Sequence, residues 1–266
     1  MNTIEFNEEV WEKAHQLYRD MPWRNNTEPY YVLVSELMLQ QTQVDRVIPK
    51  FELFMNTFAT IEDLAKASLS DVLSLWSGLG YNRRAKFLHE TAKKVIVDFD
   101  GTIPNTYDNL VSLPGIGPNT AGAILAYSFN QPVVFIETNV RTVYFHHYFE
   151  GQVQVTDKEL REIVEKTLDK EHPREWYWGL MDYGSYLKKQ GVGRIDKSRH
   201  YKKQTVFKGS MREVRGLILK SLAKKDYSLD QLRSELPLDE RFDVSIKALV
   251  AEGFITRTAE LLQLTR

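Results

Sequence analysis

The stretch from Leu113 to Arg141 is LPGIGPNTAGAILAYSFNQPVVFIETNVR, and the interpretation of the whole chain starts from it. A turn containing Gly115 and Gly117 leads into a helical pattern that begins at Pro118. Glycine adopts positive φ and carries no Cβ, so such a turn brings backbone N–H groups close to a ligand. Proline suits the first turn of a helix, where free N–H groups bind phosphate. With Glu137 following near the end of the stretch, the pattern predicts a phosphate-binding turn and a nearby carboxylate.

The turn by itself also fits an ordinary connection between two helices. It is not a nucleotide-binding P-loop, because no Lys-Ser or Lys-Thr pair follows at the required spacing. Motifs elsewhere in the chain are needed to choose between the two interpretations.

The composition is that of an ordinary soluble globular protein, with 42% hydrophobic and 27% charged residues. No apolar run approaches the length of a membrane span, and the acidic, amphipathic N-terminus is unlike a signal peptide. We therefore expect a cytoplasmic protein without a membrane partner, associated with the nucleoid if the source is prokaryotic. The chain has no cysteine, which excludes disulfides and cysteine-ligated iron–sulfur clusters.

Charge is distributed unevenly along the chain. The net charge is −1, which alone argues against a nucleic-acid partner. Between Leu187 and Lys225, however, 13 lysines and arginines stand against two acidic residues. A basic segment of this kind is typical of polyanion binding. A solvated basic linker would have the same composition, so both interpretations stay open.

A second acid lies within an apolar helical pattern. Residues 29–41 place Glu36 among Val32, Leu33 and Leu37. Ionising a carboxyl group in such surroundings is costly, so its pKa should rise. A carboxylic acid that is neutral near pH 7 can act as a general acid. The patterning taken alone favours a structural ion pair with an arginine over a general acid.

Helical periodicity recurs over most of the chain, and β structure is predicted only at its end. Helices are predicted near residues 5–20, 29–41, 43–56, 61–67, 70–76, 83–98, 107–112, 118–129, 139–149, 158–170, 174–188, 211–223, 228–236 and 238–252. Residues 254–257 and 261–265 have the pattern of two short strands. Helices followed by a hairpin are typical of a winged helix, used either to bind DNA or as a packing module.

Several motifs in this order resemble those of the helix-hairpin-helix DNA glycosylases. They are SELMLQQTQV at 35–44, LPGIGPNTAGAIL at 113–125, the acid before Asn139-Val140-Arg141, and MDYGS at 181–185. The first looks like the MutY-type adenine glycosylases. The resemblance covers roughly residues 8–187 and implies an all-α fold of two helical lobes, followed by a small α+β winged-helix domain. The implied domains are a glycosylase core at 1–190, a basic linker at 191–209 and a winged helix at 210–266. Within the core, one lobe of six helices would cover about 28–135, and the second lobe would combine the N-terminal helix with 136–190.

The resemblance implies excision of adenine, or a related purine, from a mismatch. Glu36 would protonate the base, and Glu137 would stabilise the cationic sugar. Glu137 departs from the family's usual aspartate: it is one methylene longer and a weaker N-cap, a role that Thr138 or Asn139 could take over. Asn119 stands where bifunctional relatives have a Schiff-base lysine, so no lyase reaction is expected.

The resemblance and the basic segment together assign the remaining site residues. The base pocket would contain Trp23, Arg24, Leu39, Asn119 and Asn139. Contacts to DNA would come from Gln40, Gln41, Thr42, Tyr81, Arg83, Arg84, Leu113, Gly115, Ile116, Gly117, Thr120, Arg141, Lys202, Lys203 and Lys208. Among these, the amides that end the Glu36 helix could fill the hole left by an extruded base, and Tyr81 could wedge into the base stack.

Two features of the family are missing. In most relatives a four-cysteine iron–sulfur loop begins three residues after Ser185, where this chain has Lys188. The segment from residue 210 is too short for the Nudix-like domain with which MutY-type enzymes recognise 8-oxoguanine. We therefore expect no cofactor, apart from a monovalent cation at the hairpin, and a monomer acting on double-stranded DNA that contains a mismatch or lesion.

Two alternative functions stay open. One is removal of thymine or uracil from a mismatch with guanine, although relatives of that kind do not need the acid at Glu36. The other is a lesion-binding protein with weak or no catalysis, in which the change from aspartate to Glu137 has weakened the chemistry.

Overall fold

The computed structural model of the chain describes residues 2–152, 154–192, 207–236 and 239–265. These residues are mostly helical, and their paired strands form one C-terminal hairpin, as predicted. In chain order the elements are α1 Thr3–Gln16, α2 Pro22–Asn25, α3 Pro29–Leu39, α4 Val44–Thr57, α5 Ile61–Lys66, α6 Leu69–Trp76, α7 Arg83–Asp98, α8 Tyr107–Val111, α9 Pro118–Phe129, α10 Thr138–His147, α11 Asp157–Thr167, α12 Pro173–Lys189, α13 Met211–Leu222, α14 Leu229–Glu235, α15 Arg241–Ala251, β1 Ile255–Arg257 and β2 Leu262–Leu264.

Local sequence explains where many of these helices begin. The side chain of Asn2 accepts a bond from the backbone of Glu5, whose side chain accepts one in return, and this capping box starts α1. The same reciprocal pair of bonds starts α5, α11 and α14. Pro118 occupies the first turn of α9, directly after Gly117. These signals lie within a few residues of the helices they start, which is why sequence alone predicts most of the boundaries.

The chain divides into two compact units. The first comprises Met1–Glu36, Pro104–Ser112 and Ile116–Lys203, and the second Leu37–Ile103, Leu113–Gly115 and Gln204–Arg266. The division between Glu36 and Leu37 falls inside α3. The domain and lobe boundaries expected from the sequence stay a prediction.

In the first unit, α12 packs against α1, α9 and α10. The core contains Phe6, whose ring centroid lies 4.9 Å from that of Tyr144 and 6.2 Å from that of Trp176. All three side chains are completely buried. Truncating an aromatic side chain in such a core costs about 3–5 kcal/mol. This packing fixes the position of α10, and with it Glu137 at its start.

In the second unit, α5 and α6 pack on α7, and α13 packs on α15. Strands β1 and β2 pair antiparallel, with Ile255 opposite Leu264, and an isolated bridge joins Tyr227 to Leu262. Phe242, Phe254 and Leu249 form the small core beneath this hairpin. The C-terminal part of the chain therefore has the helices and wing of a winged helix. None of the described helices is both long enough and apolar enough to cross a bilayer.

Candidate active site

Two acidic side chains of the first unit form the centre of the candidate site. Glu36 follows a buried run in α3, Val32–Ser35. Glu137 follows the buried Phe135 and Ile136 and occupies the N-cap position of α10. Both glutamates are half-buried.

The two carboxyl groups differ in their electrostatic surroundings. Burial raises the pKa of Glu36 well above its usual value, and the negative charge of Glu137 raises it further. Burial also raises the pKa of Glu137, but the ammonium group of Lys188 opposes that rise. These surroundings therefore favour the protonated form more strongly at Glu36 than at Glu137, whose ionised form Lys188 favours. This division of roles is the pattern of an acid and an electrostatic stabiliser in one site.

Tyr127 of α9 is a neighbour of the two acids that the sequence did not single out. Its side chain is buried, and burial is the largest cause of the raised pKa of its hydroxyl. The charges of Glu36 and Glu137 raise that pKa further. The ring of Trp178 in α12 stacks on it, with centroids 6.4 Å apart. A tyrosine in an apolar helix has no local signal that separates a site residue from a core residue, so only the structure reveals it.

Arg24, predicted for the base pocket, is held by a buried ion pair. Its Nη1 and Nη2 donate to the two carboxylate oxygens of Asp182 at 2.7 and 3.0 Å. Nε of Arg19 donates to the same carboxylate at 2.6 Å, and the Arg24 guanidinium also lies over the Trp178 ring. Asp182 lies in the MDYGS motif, but the sequence did not indicate its partner. The paired charges fix α2 against α12, and removing one partner would leave the other buried and uncompensated.

Asn119 braces the backbone that leads to Glu137. Its Nδ2 donates to the carbonyl oxygen of Ile136 at 3.0 Å, and its Oδ1 accepts from the Ile136 N–H at 3.3 Å. This side chain was predicted to line the base pocket. In the structure both ends of its amide bond to the backbone of Ile136, the residue before Glu137. The amide thus links the start of α9 to the start of α10.

The start of α10 differs from the expectation. Glu137 occupies the N-cap position without a side-chain capping bond, and Thr138 is already the first helical residue. The cap is therefore not taken over by Thr138 or Asn139. In the described part of the chain, Oδ1 of Asn139 is buried without a hydrogen-bond partner, while its Nδ2 lies 3.9 Å from Sδ of Met181. A buried acceptor without a partner is costly, which is typical of a site that a ligand completes.

The other two residues predicted for the base pocket lie in different units. Trp23 is buried in the first unit, at the start of α2. Leu39 is half-buried at the end of α3 and belongs to the second unit. Neither placement assigns the side chain to a ligand.

The glycine turn has positive φ at Gly115 but extended backbone at Gly117. Gly115 has φ +75°, and a Cβ at that position would lie 2.7 Å from Cβ of Phe87. Gly117 is the N-cap of α9, which has no side-chain cap. Leu113, Ile116 and Thr120 are buried, and Nη1 of Arg141 lies 2.7 Å from Oδ1 of Asp157.

A cavity of about 220 Å³ lies in the second unit, among the residues predicted to contact DNA. It is lined by Gln40, Gln41, Tyr81, Arg83, Arg84, Phe87 and Gly115. A larger groove, of about 540 Å³, lies elsewhere in this unit, beside Phe58 and Lys66, and contains none of the predicted site residues. The smaller cavity is therefore the better candidate on chemical grounds.

Arg84 has a different role from the phosphate contact predicted for it. Its guanidinium is buried and donates to the carbonyl oxygens of Leu37 and Met38 at 2.7 and 2.8 Å. It also donates to the hydroxyl of Thr42 and the carbonyl oxygen of Gly80. Burial lowers the pKa of Arg84 to about 10. These bonds satisfy carbonyl groups at the end of α3, so the guanidinium is used inside the protein rather than on a phosphate.

Residues 193–206 of the basic segment, which include Lys202 and Lys203, lie outside the described residues. Lys208 is described and exposed. Within the ranges that the structure describes, no group of three or more His, Cys, Asp and Glu side chains could hold a metal ion. An iron–sulfur cluster held by four cysteines does not fit this chain, which has no cysteine. The expected cation at the hairpin stays a prediction.

Comparison with known proteins gives one family. The sequence model of the HhH-GPD superfamily base excision DNA repair proteins matches residues 34–170. The chain is 35% identical over 192 residues to the adenine DNA glycosylase of Buchnera aphidicola subsp. Baizongia pistaciae, covering 70% of this chain and 54% of that protein. It is 30% identical over 268 residues to the adenine DNA glycosylase of Mycobacterium tuberculosis, covering 91% and 88%.

The fold has matching solved structures. A thermostable thymine-DNA glycosylase superposes with a TM-score of 0.63 at 25% identity, covering 69% of this chain and 86% of that one. The chain spans about half the length of the Buchnera adenine DNA glycosylases that it matches.

Proposed function

Because the chain belongs to the HhH-GPD superfamily of base excision DNA repair proteins, we propose that it is a monofunctional DNA glycosylase that hydrolyses the N-glycosidic bond of a mismatched adenine. The product would be an abasic site. The observation that carries the proposal is the pair of half-buried carboxyl groups, Glu36 within α3 and Glu137 at the start of α10, and the raised pKa of Glu36 supports it. The similarity to adenine DNA glycosylases supports adenine, or a related purine, as the base.

Glu36 supplies the proton. Adenine leaves poorly as an anion, so the bond to the sugar breaks more readily when the base is protonated. A carboxyl group whose pKa is raised by burial holds a proton near neutral pH and donates it as a general acid. After the transfer, the new carboxylate can orient a water molecule towards C1′ of the sugar.

Glu137 stabilises the sugar. As the base leaves, positive charge develops on the ring, and a fixed carboxylate beside C1′ lowers the energy of that state. The side chain makes no capping bond to α10, and Lys188 favours its ionised form. Asn119 holds the backbone of the preceding residue. The amide of Asn119 offers no amine nucleophile, which supports hydrolysis without a lyase step.

The DNA partner is a duplex with a mismatch or lesion, bound by a monomer. The target nucleotide must leave the base stack before the acid can reach it. Gln40, Gln41, Thr42 and Tyr81 contact the duplex where the nucleotide leaves it, and the turn that leads into α9, which contains Gly115 and Gly117, binds backbone phosphate. A monovalent cation at the hairpin and a location in the cytoplasm or nucleoid belong to the same proposal.

Thymine excision is the second candidate, and the likeness to the solved thymine-DNA glycosylase favours it. The raised pKa of Glu36 favours adenine instead, since a purine gains most from protonation.

Single-turnover excision tests the proposal on duplexes containing adenine opposite 8-oxoguanine, adenine opposite guanine, and thymine opposite guanine. Alkali reveals the abasic site, and a parallel sample without alkali reports strand cleavage. We expect release of adenine that requires alkali for cleavage, and Glu36→Gln should lower the rate by about 100-fold or more while DNA binding persists. Release of thymine alone would favour the second candidate. Tight binding without release of any base would make the chain a lesion-binding protein.

A further inference from the structure

The winged helix contacts the turn that carries Tyr81, within the second unit. Arg212 of α13 donates from Nη1 to the Tyr81 hydroxyl, and its guanidinium carbon lies 4.9 Å from the centroid of the Tyr81 ring. Arg84 also lies over this ring, at 5.6 Å. The residue predicted to wedge into the base stack therefore contacts one cation from α7, the helix that follows it, and one from the winged helix.

The backbone of Tyr81 needs such support. Its φ is +50°, in the left-handed region that non-glycine residues rarely adopt, and it follows Gly80 at φ +74°. A bulky residue in this region costs free energy and persists only when its surroundings hold it there. The bond and the ring contact from Arg212 are two of those constraints.

Glu252, at the end of α15, makes a second connection. Its carboxylate accepts from Nη1 and Nη2 of Arg215 at 2.9 and 2.7 Å and pairs with Arg83 at 3.0 Å. Nζ of Lys86 donates to its carbonyl oxygen and lies 5.4 Å from the Phe254 ring centroid. The start of α7, directly after Tyr81, is therefore tied to both α13 and α15.

The helix that a DNA-reading winged helix would place in the major groove is poorly suited to that task here. One face of α15 is buried through Phe242, Ser245, Ile246 and Leu249. Arg241, one of its two basic residues, bonds to Asp239 at 2.7 Å. The end of the helix is occupied by the Glu252 contacts, which connect it to α7 and α13.

We propose that Arg212 is a specificity-determining positioning residue: the winged helix sets the orientation of Tyr81 and thereby the discrimination of the base opposite the excised one. The inference rests on the proposed glycosylase function. Tyr81 lines the cavity that also contains Gln40 and Gln41, and no carboxylate lines that cavity. The glutamine amides can donate to O6, which guanine and 8-oxoguanine present on their major-groove edge, whereas cytosine presents an N4 amino donor there, so the two purines should be preferred over cytosine.

The test is the ratio of single-turnover rates for adenine opposite 8-oxoguanine and adenine opposite cytosine. Arg212→Ala should lower this ratio about tenfold, the scale of one desolvated cation–π contact with its hydrogen bond. Tyr81→Phe keeps the ring and removes only the accepting hydroxyl, and it should lower the ratio by a smaller factor. The matched control is Arg233→Ala, which removes an arginine over another ring of the same domain, 5.3 Å from the Phe242 centroid.

The outcomes separate the two proposals. If the wild-type chain releases no base from any duplex, the glycosylase function is wrong. If the wild type is active and Arg212→Ala keeps the wild-type ratio, or slows all duplexes equally, the positioning role is wrong. Thermal unfolding of each variant identifies one that fails to fold, in which case Tyr81→Phe decides: an unchanged ratio in that variant overturns the inference.

Discussion

Gly184 of α12 lies directly against the backbone of Asn139 at the start of α10. A Cβ at Gly184 would be 2.7 Å from the carbonyl carbon of Asn139 and 2.8 Å from its Cα. Because these are backbone atoms, they cannot swing aside as a side chain would. The contact sets how closely α12 approaches the helix that begins after Glu137.

Gly184→Ala should therefore destabilise the protein and slow base release. Forcing a methyl group into a packed backbone contact costs about 1–3 kcal/mol, and any shift of α10 moves Glu137. Urea unfolding and single-turnover rates measure the two effects. The control is Gly216→Ala in α13, where a Cβ meets nothing within 4 Å and alanine should stabilise the helix by about 0.5–1 kcal/mol. Equal stability of the two variants would contradict the close approach.

Glu36→Gln should raise stability at neutral pH while it removes activity. The folded pKa of Glu36 lies above its unfolded value, so between the two values the folded state holds more protons than the unfolded state. Stability contributed by the protonated carboxyl group is fully present below the unfolded pKa and is lost as pH rises through the folded pKa. The free energy of unfolding of wild type and variant should diverge as pH is raised from 4 to 8. Parallel curves would mean that Glu36 titrates as it does in the unfolded chain.

Glu137→Asp should lower the single-turnover rate by about 10- to 100-fold, since shortening the arm displaces the carboxylate by about one bond length. Glu137→Gln should lower it further, because the negative charge is lost. The present side chain makes no capping bond, which supports a site adapted to glutamate. A faster Asp variant would show instead that glutamate impairs the site, and equal rates for all three would remove Glu137 from the mechanism.

Lys188→Met should shift the pH dependence of base release. The Lys188 ammonium lowers the pKa of Glu137, so its removal should raise that pKa. Because Glu137 acts in its ionised form, the acidic limb of the rate profile should move to higher pH. The charge of Arg19, which lowers the pKa of Lys188, is unchanged by this substitution and by the control. Lys189→Met, one residue along α12, is the control, and identical profiles for the two variants would rule out the effect.

Gly115→Val should weaken binding to every duplex sequence by a similar factor, about tenfold if one charge-assisted bond to phosphate is lost. Valine is strained at φ +75°, and its Cβ would meet Phe87. Gly151→Val has the same backbone strain, at φ +80°, with open space around its Cβ. Binding to matched and mismatched duplexes, measured by fluorescence anisotropy, separates the two. A loss confined to one mismatch would contradict a phosphate contact.

The sequence by itself determined most elements of this protein, although the short helix α2 was not predicted. Predicted helices at 83–98 and 118–129 coincide with α7 and α9, and the C-terminal hairpin was expected. Caps, glycine turns and apolar periodicity act over a few residues, so they are visible in a single sequence. The motifs around Glu36 and Glu137 are also short, so the sequence alone was enough to select the two acids and to indicate the family.

Only the tertiary structure decided which partners those residues meet. Arg84 was expected on a phosphate, but it bonds to carbonyl groups more than 40 residues away in sequence. Tyr127 joins the two acids, and Arg212 reaches Tyr81, a residue 131 positions earlier. No local pattern encodes such pairs, because burial and the close approach of side chains depend on how distant helices pack. The charges that raise or lower the pKa of Glu36 and Glu137 arise from the same packing.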